Sequence, residues 1–337
     1  MPGPNSLLLD EISLLLVWTA VGVYVLAFIA YAIDLARRSD LAVKAKDQVV
    51  ARELVTAGGG GVIDASAGGV ASGPSFTDKP RYLWARMGTA LTALAFLFHL
   101  AATVLRGFAA GRVPWSNMYE FALTGLLLIV MVYLASLTRY DLRFLGSFIT
   151  GLAIVLLGGA TLAYHVEVTP LADPLKSVWL VIHVFVAILA TSLFALAFGL
   201  SVVQLLQTRR ERKLVGAQVD AAGRRSFLRT LPSADALESL AYRFAIVGFI
   251  FWTFTLIAGA IWANDAWGRF WGFDTKEVWT FVIWVLYAGY IHARATRGWR
   301  GTRSAWLSII GFSAVLFNFT IVNVFFKGLH AYSGLTQ

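Results

Sequence analysis

The sequence predicts an all-α integral membrane protein of about eight transmembrane helices, with both termini on the outer side. Three observations predict it. The 337 residues are 58% hydrophobic and only 14% charged, against about 25% charged in a soluble domain, and mean hydropathy is +0.70. Apolar runs of the roughly 20 residues needed to cross a bilayer recur along the chain. Lysine and arginine gather in alternate connecting segments, as they do on the cytoplasmic side of membrane proteins. The net charge of +9 therefore reflects membrane orientation rather than nucleic-acid binding. Cysteine is absent, which excludes disulfides and thiolate metal sites.

The first span, 12–35, follows Asp10 and Glu11 rather than a basic stretch, so it reads as a retained helix and not a signal peptide. The Gly-, Ala- and Ser-rich stretch 57–74 reads as a flexible linker with no site. The expected division is an N-terminal transmembrane helix at 1–36, a cytoplasmic linker at 37–81 and the main transmembrane domain at 82–337. The second to fourth spans are 87–108, 119–137 and 144–164. The fifth, 178–205, is long enough to tilt or protrude. The basic stretch around "RRERK" in 208–230 serves orientation and contact with anionic lipid. The last spans are 243–263, 278–293 and 304–326. With the N-terminus outside, segments 36–86, 138–143, 206–242 and 294–303 are cytoplasmic and, with Arg243 assigned to the same side, hold 22 of the 28 lysines and arginines. Arg106, Arg112, Lys176, Arg269, Lys276 and Lys327 are the six outside.

This topology sets the level of each of the five histidines. His183 sits about two turns inside the outer end of the fifth span, and His330 lies just past the outer end of the eighth. His165 follows the fourth span on that face and reads as a solvated residue. His99 is near mid-membrane, and His292 is near the inner end of the seventh span. Ionisable groups inside a bilayer are costly and are functional candidates by default, although a lone one also serves simply to hydrogen-bond a neighbouring helix.

Between the sixth and seventh spans, on the outer face, stands "WGRFWGFDTKEVW", residues 267–279, with five aromatics, Trp267, Phe270, Trp271, Phe273 and Trp279, among Arg269, Asp274, Lys276 and Glu277. An interfacial aromatic belt accounts for scattered Trp18, Trp84 and Trp306. It accounts poorly for three tryptophans mixed with charges in one loop. Two histidines, an aromatic shelf and no thiolate fit haem, whose iron takes axial imidazoles and whose macrocycle packs on rings. Arg or Lys suits its propionates. Zinc fits less well, because no close ligand cluster is evident. Asp274 and Glu277 read as loop-shaping groups or partners for Arg and Lys.

The loop resembles the tryptophan-rich WWD motif of the haem-handling proteins of cytochrome c biogenesis, in the pattern W-G-x-x-W-x-x-D-x-K-E-x-W. The chain is similar to the system II family of the CcsA/ResC type (called CcsB in some bacteria) from about residue 82 onward. "VPWSNMYEF" (113–121) resembles that family's P-x-S-N-x-Y-E segment, and His183 and His330 take the places of the outer histidines flanking the loop. The resemblance implies haem b, brought to the extracytoplasmic face of the cytoplasmic (inner) membrane. There it is ligated by His183 and His330 and held by Trp267, Phe270, Trp271, Phe273, Asp274 and Trp279. It implies attachment to the CxxCH segment of apocytochrome c, as part of a cytochrome c synthase (haem lyase) complex. The implied partners are a second membrane component of the ResB/Ccs type and thiol-reducing thioredoxin-like proteins, besides the lipid bilayer; no nucleic acid is implied. A second, intramembrane haem is implied at His292, with a counterpart from the partner protein or from His99. The levels of His99 and His292 differ by roughly 10 Å at 1.5 Å per residue, too much for one iron unless helices tilt or break.

Other classes predict different features. A small-solute transporter would carry charges inside several spans and helices broken by Gly or Pro. A cytochrome b-like electron-transfer subunit would place histidine pairs at matching depths within the membrane. An assembly scaffold would use the aromatic loop only as a docking surface.

Overall fold

The computed structural model describes residues 4–57, 82–216, 227–326 and 328–330. Regular structure among them is helical throughout. Eight long helices follow in order: α1 Pro4–Ala57, α2 Leu83–Ala110, α3 Met118–Ser136, α4 Gly146–Tyr164, α5 Val178–Gly216, α6 Ala234–Trp267, α7 Thr275–Thr296 and α8 Thr302–Phe317. Helix α8 continues through a π turn, Asn318–Val322, into a last helical turn, α9 Asn323–Phe325. Seven of the eight are long and apolar enough to cross a membrane. Helix α7 has a spanning length of 22 residues, but its Trp, Tyr, His and Arg content lowers its hydropathy. The chain is a multi-pass, all-α membrane protein. Large apolar side chains such as Leu15, Leu97, Val155 and Ile257 are exposed on the bundle's outside, the surface that faces hydrocarbon in a bilayer.

The bounds differ from the sequence reading at the end that the charge pattern assigns to the cytoplasm. Helix α1 continues to Ala57 instead of giving way to a linker at 37. Its extension, "RRSDLAVKAKDQVVARELVTA", is rich in Ala, Leu, Lys, Arg and Glu, which favour helix without any apolar stripe. Of the Gly-rich stretch 57–74, all but the first residue lies outside the described residues. Helix α5 extends to Gly216 and α6 begins at Ala234, capped by the Ser233 side chain. At 39 residues, α5 is about 58 Å long, nearly twice the thickness of the hydrocarbon core. Both helices rise past the membrane on that side.

Helix α5 is central and packs on α3, α6 and α8, while α1 lies against α2 and α4. The aromatic core knits these together. Phe194 of α5 stacks on Tyr287 of α7, with ring centroids 3.6 Å apart and planes 8° apart. Helices α6 and α7 are joined by indole hydrogen bonds, Trp252 Nε1 to the Thr280 carbonyl (3.1 Å) and Trp284 Nε1 to Thr253 Oγ1 (3.0 Å). Helix α1 is docked by polar contacts along its length. Ser13 Oγ donates to the Ala102 carbonyl, and the Tyr31 hydroxyl meets Thr89 and Tyr133.

At the end assigned to the outside, Arg106 of α2 is wholly buried. It bridges Asp10 of α1 (2.6 Å) and Glu120 of α3 (3.0 Å). Glu120 also takes Arg112 at 2.7 Å and the Ser116 backbone N–H at 2.9 Å. The "VPWSNMYEF" segment is thereby a cap: Asn117 Oδ1 accepts the Glu120 N–H, closing the start of α3. This end of the bundle carries the starts of α3, α5 and α7 and the ends of α4, α6 and α8.

Candidate functional site

A cavity opens at that end among α3, α4, α5, α6 and the α8 π turn. It holds about 1380 Å3 of empty space, counting its open mouth. Its deep part is apolar, walled by Leu126, Ile129, Leu152, Leu156 and Phe312. Its mouth brings together His183, His330, Trp267, Phe270, Trp271 and Lys276.

His183 projects from the second turn of α5. Its ring lies against α6 at Gly259, where a Cβ would come within 2.8 Å of the imidazole, so only glycine leaves room for the ring. The imidazole meets the Trp262 ring edge-on at 5.5 Å. The ring also interacts with the Thr255 backbone carbonyl of α6.

His330 arrives from the far end of the chain. Its Nδ1 lies 2.8 Å from Asp274 Oδ2, and its ring meets Trp267 at 4.8 Å. An imidazole that donates from Nδ1 to a carboxylate carries its lone pair on Nε2, the arrangement that orients histidine ligands at metal centres. His183 stands within electrostatic reach of both His330 and Lys276.

Asp274 makes this possible from the start of α7. The sequence D-T-K-E forms a capping box: Asp274 accepts the Lys276 N–H, and Glu277 accepts the Asp274 N–H. Asp274 Oδ1 also accepts the Leu329 N–H at 3.0 Å. The chain comes this close because residue 328 is glycine; a Cβ there would meet Asp274 Oδ1 at 2.1 Å. The hydrogen bond from His330 is the leading reason that the Asp274 carboxyl is held below the ordinary carboxylate range. Glu277 shapes the loop as well, accepting the Gly272 N–H at 2.9 Å and pairing with Arg269 at 3.2 Å.

The six loop residues singled out from the sequence divide. Trp267, Phe270 and Trp271 line the cavity. Asp274 stands behind His330. Trp279 lies one turn into α7 and packs on Phe317 at 4.4 Å. Phe273 is 80% exposed with φ of +58°, a strained conformation for a bulky residue.

The remaining histidines stand apart from the cavity. His99 is buried in α2 with both ring nitrogens engaged, by the Tyr24 hydroxyl (3.3 Å) and the Leu123 carbonyl (2.8 Å). His292 is exposed on α7. His165 packs on Tyr119 at 4.8 Å, and burial is the main cause that lowers its pKa.

Sequence reasoning missed Trp262, Gly259, Phe319 and Asn318 as cavity residues. The last had a signal: two asparagines, 318 and 323, in an otherwise apolar helix end, where polar side chains serve contacts between helices.

Comparison with known proteins agrees with this geometry. A family model described as "Cytochrome C assembly protein" matches residues 115–330. The chain is 33% identical over 263 residues to "Cytochrome c biogenesis protein CcsA" of Guillardia theta, covering 74% of this chain and 86% of that one. The protein of the same description from Porphyra purpurea is 32% identical over 277 residues, covering 73% and 87%. That of Synechococcus elongatus is 33% identical over 285 residues, again 73% and 87%. The matched region runs from the cap of α3 to His330 and so contains the whole cavity mouth. Identity of one-third over most of each chain settles the kinship: the chain belongs to the cytochrome c assembly protein family, as a member of the CcsA type with a role in cytochrome c maturation.

Proposed function

We propose that the cavity mouth holds haem b between His183 and His330 and presents it for attachment to the CxxCH segment of apocytochrome c. The observation that carries this reading is the pair of imidazoles on one aromatic-lined cavity. One is set into the cavity wall against Gly259 and Trp262, and the other is oriented through Nδ1 by Asp274. When bound, haem supplies an iron that takes axial imidazoles and vinyl groups to which cysteine thiols add. This chain's residues do the rest by placement. Trp267, Phe270 and Trp271 give flat apolar packing, worth about 1.5–3 kcal/mol for each large side chain that becomes fully buried. Fixing the macrocycle at the open end of the bundle turns attachment into a problem of orientation.

The setting of this reading is a cytoplasmic (inner) membrane, as the family resemblance implies, and the charge pattern supports a cavity mouth on the extracytoplasmic face. The partners are apocytochrome c, a second membrane component of the ResB/Ccs type and thioredoxin-like proteins that keep the CxxCH thiols reduced. For an inner haem site on the route to the mouth, we propose His292 as this chain's ligand. Its ring is exposed on α7 and open to a counterpart from the second component. A ligand role for His99 requires it first to release Tyr24 or the Leu123 carbonyl.

Replacing His183 or His330 with glycine tests the outer ligands. Haem in the purified protein should fall in each variant, and added imidazole should restore it with a shifted Soret band. Full haem content in both variants would remove the assignment. Transfer of haem to a CxxCH peptide by the native complex separates this function from electron transfer.

A further inference from the structure

Among the described residues lining the cavity, Lys276 is the only lysine or arginine. It sits in the first turn of α7, and its ammonium donates to Asn323 Oδ1. No carboxylate among the described residues lies within ion-pair distance of it. Asp274, the nearest acid along the chain, is committed to His330, the Leu329 N–H and the Lys276 N–H. The other loop cation, Arg269, is already paired with Glu277. A cation in an apolar wall without a counter-ion is costly, and this one faces the space where a ligand would sit.

The wall beside it is polar in the same sense. Asn318 is 6% exposed, lines the cavity, and has its Oδ1 buried without a partner. Its Nδ2 makes only a long contact, 3.5 Å, with Thr280 Oγ1, one turn after Lys276. Five residues separate Asn318 from Asn323, an angle of about 140° on a regular α-helix. The π turn brings both to α7 instead. Turning the Asn318 amide over costs one weak hydrogen bond and offers an N–H2 to the cavity.

We propose that Lys276, flanked by Asn318 and Asn323, is a carboxylate-binding patch in the cavity wall. Resting on the haem reading above, the group it takes is a propionate of the macrocycle. The patch would fix the rotation of the ring about the axis between the two histidines, and so decide which edge faces the open mouth.

The test is a Soret titration of the purified full chain with ferric protoporphyrin IX and with its dimethyl ester. The native protein should bind the diacid roughly tenfold tighter, the scale of one charge-assisted hydrogen bond. K276M should bring the two ligands within about twofold of each other, with diester binding unchanged as the sign of an intact cavity. K276R should keep the preference. If K276M loses the diester as well, K276Q against K276R decides, and equal preference in those two overturns the patch. A native protein indifferent to esterification, or a K276M that still prefers the diacid, also overturns it. Failure of the native protein to bind either macrocycle removes the haem reading itself.

Discussion

Asp274 holds three groups at once: the first turn of α7, the backbone at Leu329 and the imidazole of His330. The roles separate by substitution. Asparagine caps a helix nearly as well as aspartate, whereas alanine loses about 1 kcal/mol. D274N should therefore leave thermal stability in detergent close to native, and D274A should lower it. On the proposed haem reading, both remove the carboxylate that would make the imidazole a stronger donor to iron. In D274N the bound haem should show a more positive reduction potential by spectroelectrochemistry, whereas H183G and H330G should lower the haem content itself. An unchanged potential in D274N would reduce Asp274 to a capping residue. The sequence pointed to this aspartate but not to its manner of acting. The motif puts Asp274 among five aromatics, and only the return of the chain at Gly328 shows that it meets His330 rather than facing the cavity. The same holds for Trp279: the capping box at 274–277 turns the chain, so Trp267, Phe270 and Trp271 before it line the cavity and Trp279 after it packs on α8.

At the level of elements, every predicted span has a helix, because each carries a long apolar run. The differences lie where hydropathy falls silent. Helix α1 outlasts its apolar stripe through propensity, and α5 and α6 extend beyond the bilayer for the same reason. The π turn was illegible, since 100° per residue places Asn318 and Asn323 on different faces; it forms only as α8 packs on α7. A π turn amounts to one residue inserted into an α-helix, so its removal is a clean experiment. Deleting Ile321, which is 37% exposed on the turn, should restore a regular helix with Asn318 and Asn323 four positions apart, about 40° from each other on one face. The helix stays apolar and long enough to insert. Asn323 then stays beside Lys276, and the segment leading to His330 keeps its direction, so haem retention should stay near native. Adding one alanine after Ile321 instead should rotate everything after it by about 100° and drop haem retention towards the H330G level, with expression in the membrane near native. Native haem content in the insertion would mean that the cavity does not depend on the register the turn sets.

Across the whole molecule, the placement of the cavity mouth outside rests on the distribution of 22 of 28 basic residues, which is a strong asymmetry. The bundle is consistent with it on independent grounds. The end opposite the cavity is where α5 and α6 protrude and where Arg294 of α7 pairs with Glu238 of α6 at 3.0 Å. The cavity end holds Arg106, Arg112, Asp10 and Glu120 in one buried network, and exposed aromatic residues of the 267–279 loop stand beside it. The absence of cysteine makes the sidedness directly measurable, because any introduced thiol is unique. Phe273 is 80% exposed at the tip of the aromatic loop, and Arg297 is exposed in the turn after α7. In intact cells a membrane-impermeant maleimide should label F273C and leave R297C untouched. After permeabilisation both should react. Labelling of R297C alone in intact cells would invert the topology and place the cavity mouth in the cytoplasm, where apocytochrome c could not meet it after export.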